Sequence, residues 1–209
     1  MKRIGVLALQ GAFIEHITML NRLGAEAIPV RLPHELEGLD GLVIPGGEST
    51  TIGKLMKGYE LTAGLQRLIA DGLPVFGTCA GMILLAKQTI GLNGYSLGAM
   101  DIVVRRNAFG RQVDSFEVDL LISALGEPPF HAVFIRAPWI ENVSPGVEVL
   151  AQLPDGTSVA ARERNIIVAA FHPELTADTR FHAYFLSTVD KYRMKNPQEW
   201  RPFNGFAGE

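Results

Sequence analysis

The segment Pro74-Val75-Phe76-Gly77-Thr78-Cys79-Ala80-Gly81-Met82-Ile83-Leu84-Leu85 joins an apolar strand pattern to an apolar helix pattern with no loop between them. Few backbones admit such a join. The turn brings neighbouring main chain so close to Gly77 and Gly81 that a Cβ at either would clash, which explains the Gly-x-Cys-x-Gly frame. A strand that feeds straight into a helix also implies a sheet with helices packed on its faces. At the apex stands Cys79, the only cysteine of the chain. The N–H groups opening the following helix, and the positive end of its dipole, favour the reactive thiolate of a cysteine so placed. A lone cysteine is otherwise a small buried hydrophobe; the strand–glycine–glycine–helix frame makes this one a nucleophile elbow.

The rest of the first half agrees with that architecture. Residues 3–9 form a short apolar run, residues 12–23 are apolar at helical spacing, and residues 26–30 and 40–44 read as further strands. Helical stretches over 51–57 and 61–70 precede the strand at 73–77. This alternation predicts an α/β fold: a mostly parallel central sheet, helices on both faces and right-handed crossovers. The second half changes rhythm. Short strand patterns at 100–105, 115–121, 131–135, 147–153, 158–163 and 165–170, separated by turn residues such as Asp155-Gly156, predict antiparallel pairing there. A closing helix over 178–194 has Asp178 as its N-cap candidate and Phe181, Tyr184, Phe185, Val189 and Tyr192 on its apolar face. Residues 195–209 read as an irregular tail. No repeat, low-complexity tract or linker divides the chain, so residues 1–209 are expected to form one domain.

A thiol at an elbow requires a group that takes its proton and returns one to the leaving group, the task best suited to histidine. His172 follows the apolar run Ile166-Ile167-Val168-Ala169-Ala170-Phe171, placing it beyond the carboxyl end of a strand, where open α/β sheets build their sites. In His172-Pro173-Glu174 the proline holds a carboxylate two residues on, able to accept the second imidazole N–H. His16 and His182 lie on predicted helices and His34 and His131 in turns, where surface or satisfied core roles are expected.

The loop Pro45-Gly46-Gly47-Glu48-Ser49-Thr50 follows the strand Leu42-Val43-Ile44 and reaches the same edge of the sheet. Its glycines let main chain approach a ligand, so a Gly47 N–H can face a developing oxyanion together with the Ala80 N–H. A phosphate loop is excluded, because neither the Lys-Ser/Thr of a P-loop nor a G-x-G-x-x-G frame follows. Gln10-Gly11, after the first strand, comes to that edge too.

Composition closes off other function classes. A net charge of −3 and the lack of a basic run give no footprint for nucleic acid or an anionic membrane. One cysteine and scattered histidines offer no metal-ligand spacing, and Glu15, Glu48 and Glu174 have no spacing that would pair them for glycoside chemistry. With no internal disulfide possible and no secretory or membrane-spanning segment, a cytoplasmic setting is expected.

The elbow Gly77-Thr78-Cys79-Ala80-Gly81-Met82 with the distant His172-Pro173-Glu174 resembles the class I, or triad, glutamine amidotransferases. Further blocks sharpen the likeness: Leu7-Ala8-Leu9-Gln10-Gly11-Ala12, Ile44-Pro45-Gly46-Gly47-Glu48-Ser49-Thr50, Arg106-Asn107-Ala108-Phe109-Gly110-Arg111-Gln112, Phe134-Ile135-Arg136-Ala137-Pro138 and Phe171-His172-Pro173-Glu174-Leu175-Thr176. They are similar to those of the glutaminase subunits of pyridoxal 5′-phosphate synthases. The resemblance implies a flavodoxin-like fold and hydrolysis of L-glutamine to glutamate and ammonia through a Cys79-His172-Glu174 triad and a glutamyl thioester, with no cofactor. It further implies Gly47 and Ala80 N–H groups as the oxyanion hole, and glutamine held by Gly47, Glu48, Ser49, Arg106, Ile135 and Arg136. Ammonia would pass to a separate synthase subunit within a large hetero-oligomer, with Gln10 and Gly46 coupling the oxyanion loop to docking. Alternatives are the glutaminase of another amidotransferase, or a flavodoxin-like cysteine hydrolase or chaperone.

Overall fold

A computed structural model describes residues 1–91, 94–106 and 115–195. The segment Asn107-Ala108-Phe109-Gly110-Arg111-Gln112 and the tail at 196–209 lie outside the described residues. In chain order the elements are β1 (Arg3–Leu7), α1 (Phe13–Arg22), β2 (Glu26–Val30), β3 (Gly41–Ile44), α2 (Ser49–Gly58), α3 (Leu61–Ala70), β4 (Val75–Thr78) and α4 (Ala80–Leu85). There follow β5 (Ala86–Ile90), β6 (Met100–Arg105), β7 (Ser115–Leu120), β8 (Phe130–Ile135), β9 (Trp139–Val143), β10 (Glu148–Gln152), β11 (Ser158–Glu163), β12 (Ile166–Ala169) and α5 (Arg180–Lys195).

The sheet runs β2-β1-β3-β4-β12-β11-β9-β6-β5, with β10 paired to β11. From β2 to β12 every pair is parallel, whereas β12-β11, β11-β9, β9-β6 and β11-β10 are antiparallel. β7 and β8 form a separate antiparallel pair. The strand order reverses direction after β1: α1 carries the chain one way to β2, and α2 with α3 carries it the other way from β3 to β4. Right-handed crossovers then put α1 and the α2–α3 pair on opposite faces.

Side-chain alternation along β4 sorts the two faces. Phe76 stacks on Phe181 of α5 with ring centroids 5.3 Å apart and meets His16 of α1 edge-on, so it points to the α1–α5 face. Thr78, two residues on, points the same way. Gly77 points to the other face, where a Cβ would lie 2.5 Å from Leu85 and 2.8 Å from the Gly81 backbone of α4. Phe76, Phe171, Phe181 and Phe185 are fully buried and fill the α1–α5 face with aromatic contacts.

Two strands escape the sequence pattern. β5 has the mixed sequence Ala86-Lys87-Gln88-Thr89-Ile90 and exists because it pairs in parallel with β6, whose other neighbour β9 is antiparallel. β9, Trp139-Ile140-Glu141-Asn142-Val143, lacks apolar alternation and is held by β6. The helix α5 begins two residues after Asp178, so the N-cap position falls on Thr179, whose carbonyl accepts the Ala183 N–H, and not on Asp178 as expected. The Asp178 carboxylate still accepts the Arg180 N–H at 3.0 Å, satisfying one of the helix's unpaired donors. Among the described residues no helix is long and apolar enough to cross a membrane.

A Cβ on Gly81 would overlap the carbonyl oxygen of Ile44 at the end of β3. Gly81→Ala is therefore expected to lose about 1–3 kcal/mol of stability, as forced overpacking does, measured as a lower urea midpoint with unchanged slope.

Candidate active site

The elbow is strained where the sequence places its apex. Cys79 has φ 47° and ψ −100°, left-handed backbone that a residue with a side chain rarely adopts and that costs of order 1–3 kcal/mol. Hydrogen bonds on both sides hold it. The Cys79 N–H donates to the Ala169 carbonyl at 2.8 Å, extending the β4–β12 ladder, and its carbonyl accepts the Ile83 N–H, opening α4. Cys79, almost wholly buried, lines a cavity of about 290 Å³ shared with Gln10, Gly47, Glu48, Ser49, Ile83, Arg106, Ile135, Arg136 and His172. The Ile135 carbonyl lies 3.9 Å from Sγ.

His172 enters from the carboxyl end of β12, the strand next to β4. Its main-chain N–H donates to the Val133 carbonyl of β8 at 2.8 Å, so the hairpin fixes its backbone. A Cβ placed on Gly46 would overlap His172 Cε1 and lie 3.3 Å from Cys79 Cβ, which puts ring and thiol side chain against one small gap that only glycine leaves open. His172 Nδ1 lies 2.7 Å from Glu174 Oε1, and Pro173 begins the short 3₁₀ turn that carries Glu174 back under the ring. Burial alone would disfavour the imidazolium. Hydrogen bonding and charge from Cys79 and Glu174 outweigh it and raise the His172 pKa to about 10.

The glycine loop sits beside both. The Gly46 carbonyl accepts the Ala12 N–H at 3.1 Å, and the Gly46 N–H donates to Thr78 Oγ1 at 3.1 Å. Because N–H and C=O of a trans peptide point in opposite directions, the Gly47 N–H is directed away from Ala12. Gln10 Oε1 accepts the Glu48 N–H at 2.7 Å, so Gln10 does adjoin this loop. Glu48 caps α2: its carboxylate accepts Thr50 and Thr51 N–H and the Thr51 hydroxyl. Partial burial opposes its ionisation, but those hydrogen bonds hold its pKa at about 2. Arg106 pairs with Glu48 Oε1 at 3.2 Å and with the Gly91 carbonyl at 3.1 Å. Arg136, also at φ > 0, lines the cavity with no hydrogen bond to a described residue. Every residue singled out from the sequence for this site, including Ser49 and Ala80, lies at this rim or next to a residue that does. Among the described residues no three His, Cys, Asp or Glu are grouped to hold a metal.

Three polar residues were not given a role by the sequence. Thr78 reads as an ordinary strand threonine. His16 and His182 are fully buried on the α1–α5 face, with His16 Nδ1 2.9 Å from His182 Nε2 and His16 Nε2 3.1 Å from Thr78 Oγ1. The available signal was the place of His16 on the apolar stripe of α1, at helical spacing from buried Met19 and Leu20.

The mostly parallel sheet that carries this elbow is shared with a glutamine amidotransferase of known structure. A crystal structure of a glutamine amidotransferase superposes with a TM-score of 0.85 at 50% identity, covering 90% of this chain and 98% of that one. The chain belongs to the SNO glutamine amidotransferase family, which it matches over residues 6–191. It is similar to the pyridoxal 5′-phosphate synthase subunit PdxT of Moorella thermoacetica, 58% identical over 187 residues, covering 90% of this chain and 99% of that protein. The PdxT subunit of Herpetosiphon aurantiacus is 59% identical over 186 residues, covering 88% and 98%.

The raised pKa gives a direct expectation. The His172 imidazole stays protonated through neutral pH and titrates near 10. In Cys79→Ala, which removes one of the two groups favouring the cation, it titrates lower; ¹⁵N NMR of the histidine rings follows both.

Proposed function

We propose that this chain is the glutaminase subunit of a pyridoxal 5′-phosphate synthase, acting as a single domain that hydrolyses L-glutamine and delivers ammonia to a separate synthase subunit. The observation that carries this reading is 58–59% identity to PdxT subunits over 98–99% of their lengths. The residues supply a matching chemistry. The Cys79 thiolate attacks the carboxamide carbon, and the oxyanion that forms is stabilised by the N–H groups of Gly47 and Ala80. The His172 imidazolium gives its proton to the departing nitrogen, releasing ammonia and leaving a glutamyl thioester. The neutral ring then takes a proton from water, whose oxygen adds to the thioester; collapse expels the thiolate and frees glutamate. Glu174 holds the ring in one orientation through both steps.

For the amino-acid end of glutamine, the arginines divide unequally. Arg106 is already engaged by Glu48, so Arg136 is the cation free to grip the α-carboxylate. Glu48, Ser49 and the Ile135 carbonyl supply acceptors near the ammonium. The partner is required on physical grounds: ammonia released into water protonates and diffuses away, so a sealed passage to a docked synthase is expected. Gln10, bound to the loop of Gly46 and Gly47, is the residue placed to feel that docking.

With the synthase subunit present, the wild-type chain is expected to release ammonia from glutamine, and Cys79→Ala to lose at least about 10³-fold in kcat. Equal ammonia release by both proteins would reject the reading.

A further inference from the structure

Behind the Cys79–His172–Glu174 group lies a second buried polar chain that the hydrolysis scheme does not use. Glu174 spends Oε1 on His172, while Oε2 is buried and has no hydrogen-bonding partner of good geometry; the nitrogen approaching it is His16 Nε2, at 3.3 Å. That same nitrogen lies 3.1 Å from Thr78 Oγ1, which already accepts the Gly46 N–H. His16 Nδ1 is 2.9 Å from His182 Nε2, and His182 Nδ1 is buried without a partner.

These contacts restrict the proton positions. Two arrangements of the His16–His182 pair are possible. Were His16 protonated on Nδ1, its Nε2 lone pair would face the buried Glu174 carboxylate, and His182 would be left with a buried N–H that meets no acceptor. With the proton on Nε2, His16 donates to Thr78 Oγ1, turns the positive end of that N–H toward the carboxylate, and accepts the His182 Nε2–H, leaving unpaired an acceptor nitrogen on His182 and the Thr78 hydroxyl hydrogen. The second arrangement is favoured because it sets no ring lone pair against the buried carboxylate and strands no ring N–H without an acceptor. Both rings are neutral: burial, then the neighbouring His182 and His172, push the His16 pKa well down, and burial pushes that of His182 down to about 4. The other groups facing His16 are Thr78 from β4, Glu174 from the 3₁₀ turn and the edge of Phe76.

We infer that His16 is a positioning residue, whose Nε2–H orients the Glu174 carboxylate and, through Thr78 Oγ1, ties it to the Gly46–Gly47 loop, while His182 sets its tautomer. The inference rests on the glutaminase reading above and adds to it a physical link between the triad acid and the oxyanion loop. One ring thereby touches both halves of the site without touching substrate.

The test is glutamine hydrolysis by the full chain with the synthase subunit present, for wild type, His16→Met and His16→Gln. Methionine keeps apolar volume and removes the donor; glutamine restores an N–H at about the same reach. His16→Met is expected to lose about ten- to a hundredfold in kcat with KM for glutamine unchanged, the scale of a misplaced catalytic group. Its alkaline pH limb moves to lower pH, since a carboxylate free to rotate holds the His172 cation less well. His16→Gln recovers most of the rate and the limb. A folded His16→Met with wild-type kcat and pH profile overturns the inference while leaving the glutaminase reading intact; absence of glutaminase activity in wild type overturns the reading. Should His16→Met fail to fold, ¹⁵N NMR of the wild-type rings decides: His16 protonated on Nε2 supports the inference, and on Nδ1 overturns it.

Discussion

Main chain in this protein approaches main chain so closely at the carboxyl edge of the sheet that only glycine fits, and the site depends on that approach. A Cβ on Gly81 would overlap the Ile44 carbonyl, one on Gly11 would overlap the Gly46 carbonyl, and one on Gly46 would overlap the His172 ring. These contacts join strand ends across the sheet: β3 to the turn after its neighbour β4, β1 to the loop after its neighbour β3, and that loop, over β4, to the residue after β12. Strands in a sheet are separated by about 4.8 Å, and side chains at their ends would normally splay the loops apart. Removing the Cβ at these positions lets a thiol, an imidazole and a row of peptide groups share one small cavity. The left-handed backbone of Cys79 follows from the same crowding, held by the ladder bond to Ala169 on one side and the first turn of α4 on the other.

Charge is arranged as tightly as shape. Of the three buried histidines, His16 and His182 are paired with each other and His172 with Glu174, yet only His172 is driven toward the cation, because only it has both a carboxylate oxygen at 2.7 Å and the thiol side chain as partners. His16 and His182 are driven the other way by the apolar face that contains Phe76, Phe181 and Phe185. A single proton is thus confined to the ring that faces the cavity, and the two behind it act as neutral donors and acceptors. The same logic governs Glu48, whose carboxylate is committed to the first turn of α2 and is thereby kept ionised beside Arg106.

Much of this was legible because each signal was local. The Gly-x-Cys-x-Gly frame reports a steric constraint within five residues, and His172-Pro173-Glu174 reports an ion pair within three. The parallel half of the sheet was readable from its uniformly apolar strands, as doubly covered strands require. What escaped was held by partners distant in sequence. β5 and β9 are strands by virtue of β6, and their own residues carry little apolar alternation. Thr78 and His16 meet across 62 residues, so nothing near either one announces the contact. Their polarity, unlike the apolar periodicity around them, has no pattern from which a partner can be deduced.

The strand that brings His172 to the thiol is the last to be synthesised, yet it lies inside the sheet, between β4 and β11. Its outer neighbour β11 and its inner neighbour β4 come from different halves of the chain. A ribosome therefore releases the nucleophile long before its base, with the sheet open along a central seam. Inserting that seam requires contacts of high sequence separation, which slow folding, and the thiol acquires its imidazole only when the two halves are zipped together. Thiol and imidazole are thus neighbours only across the pairing of β4 with β12.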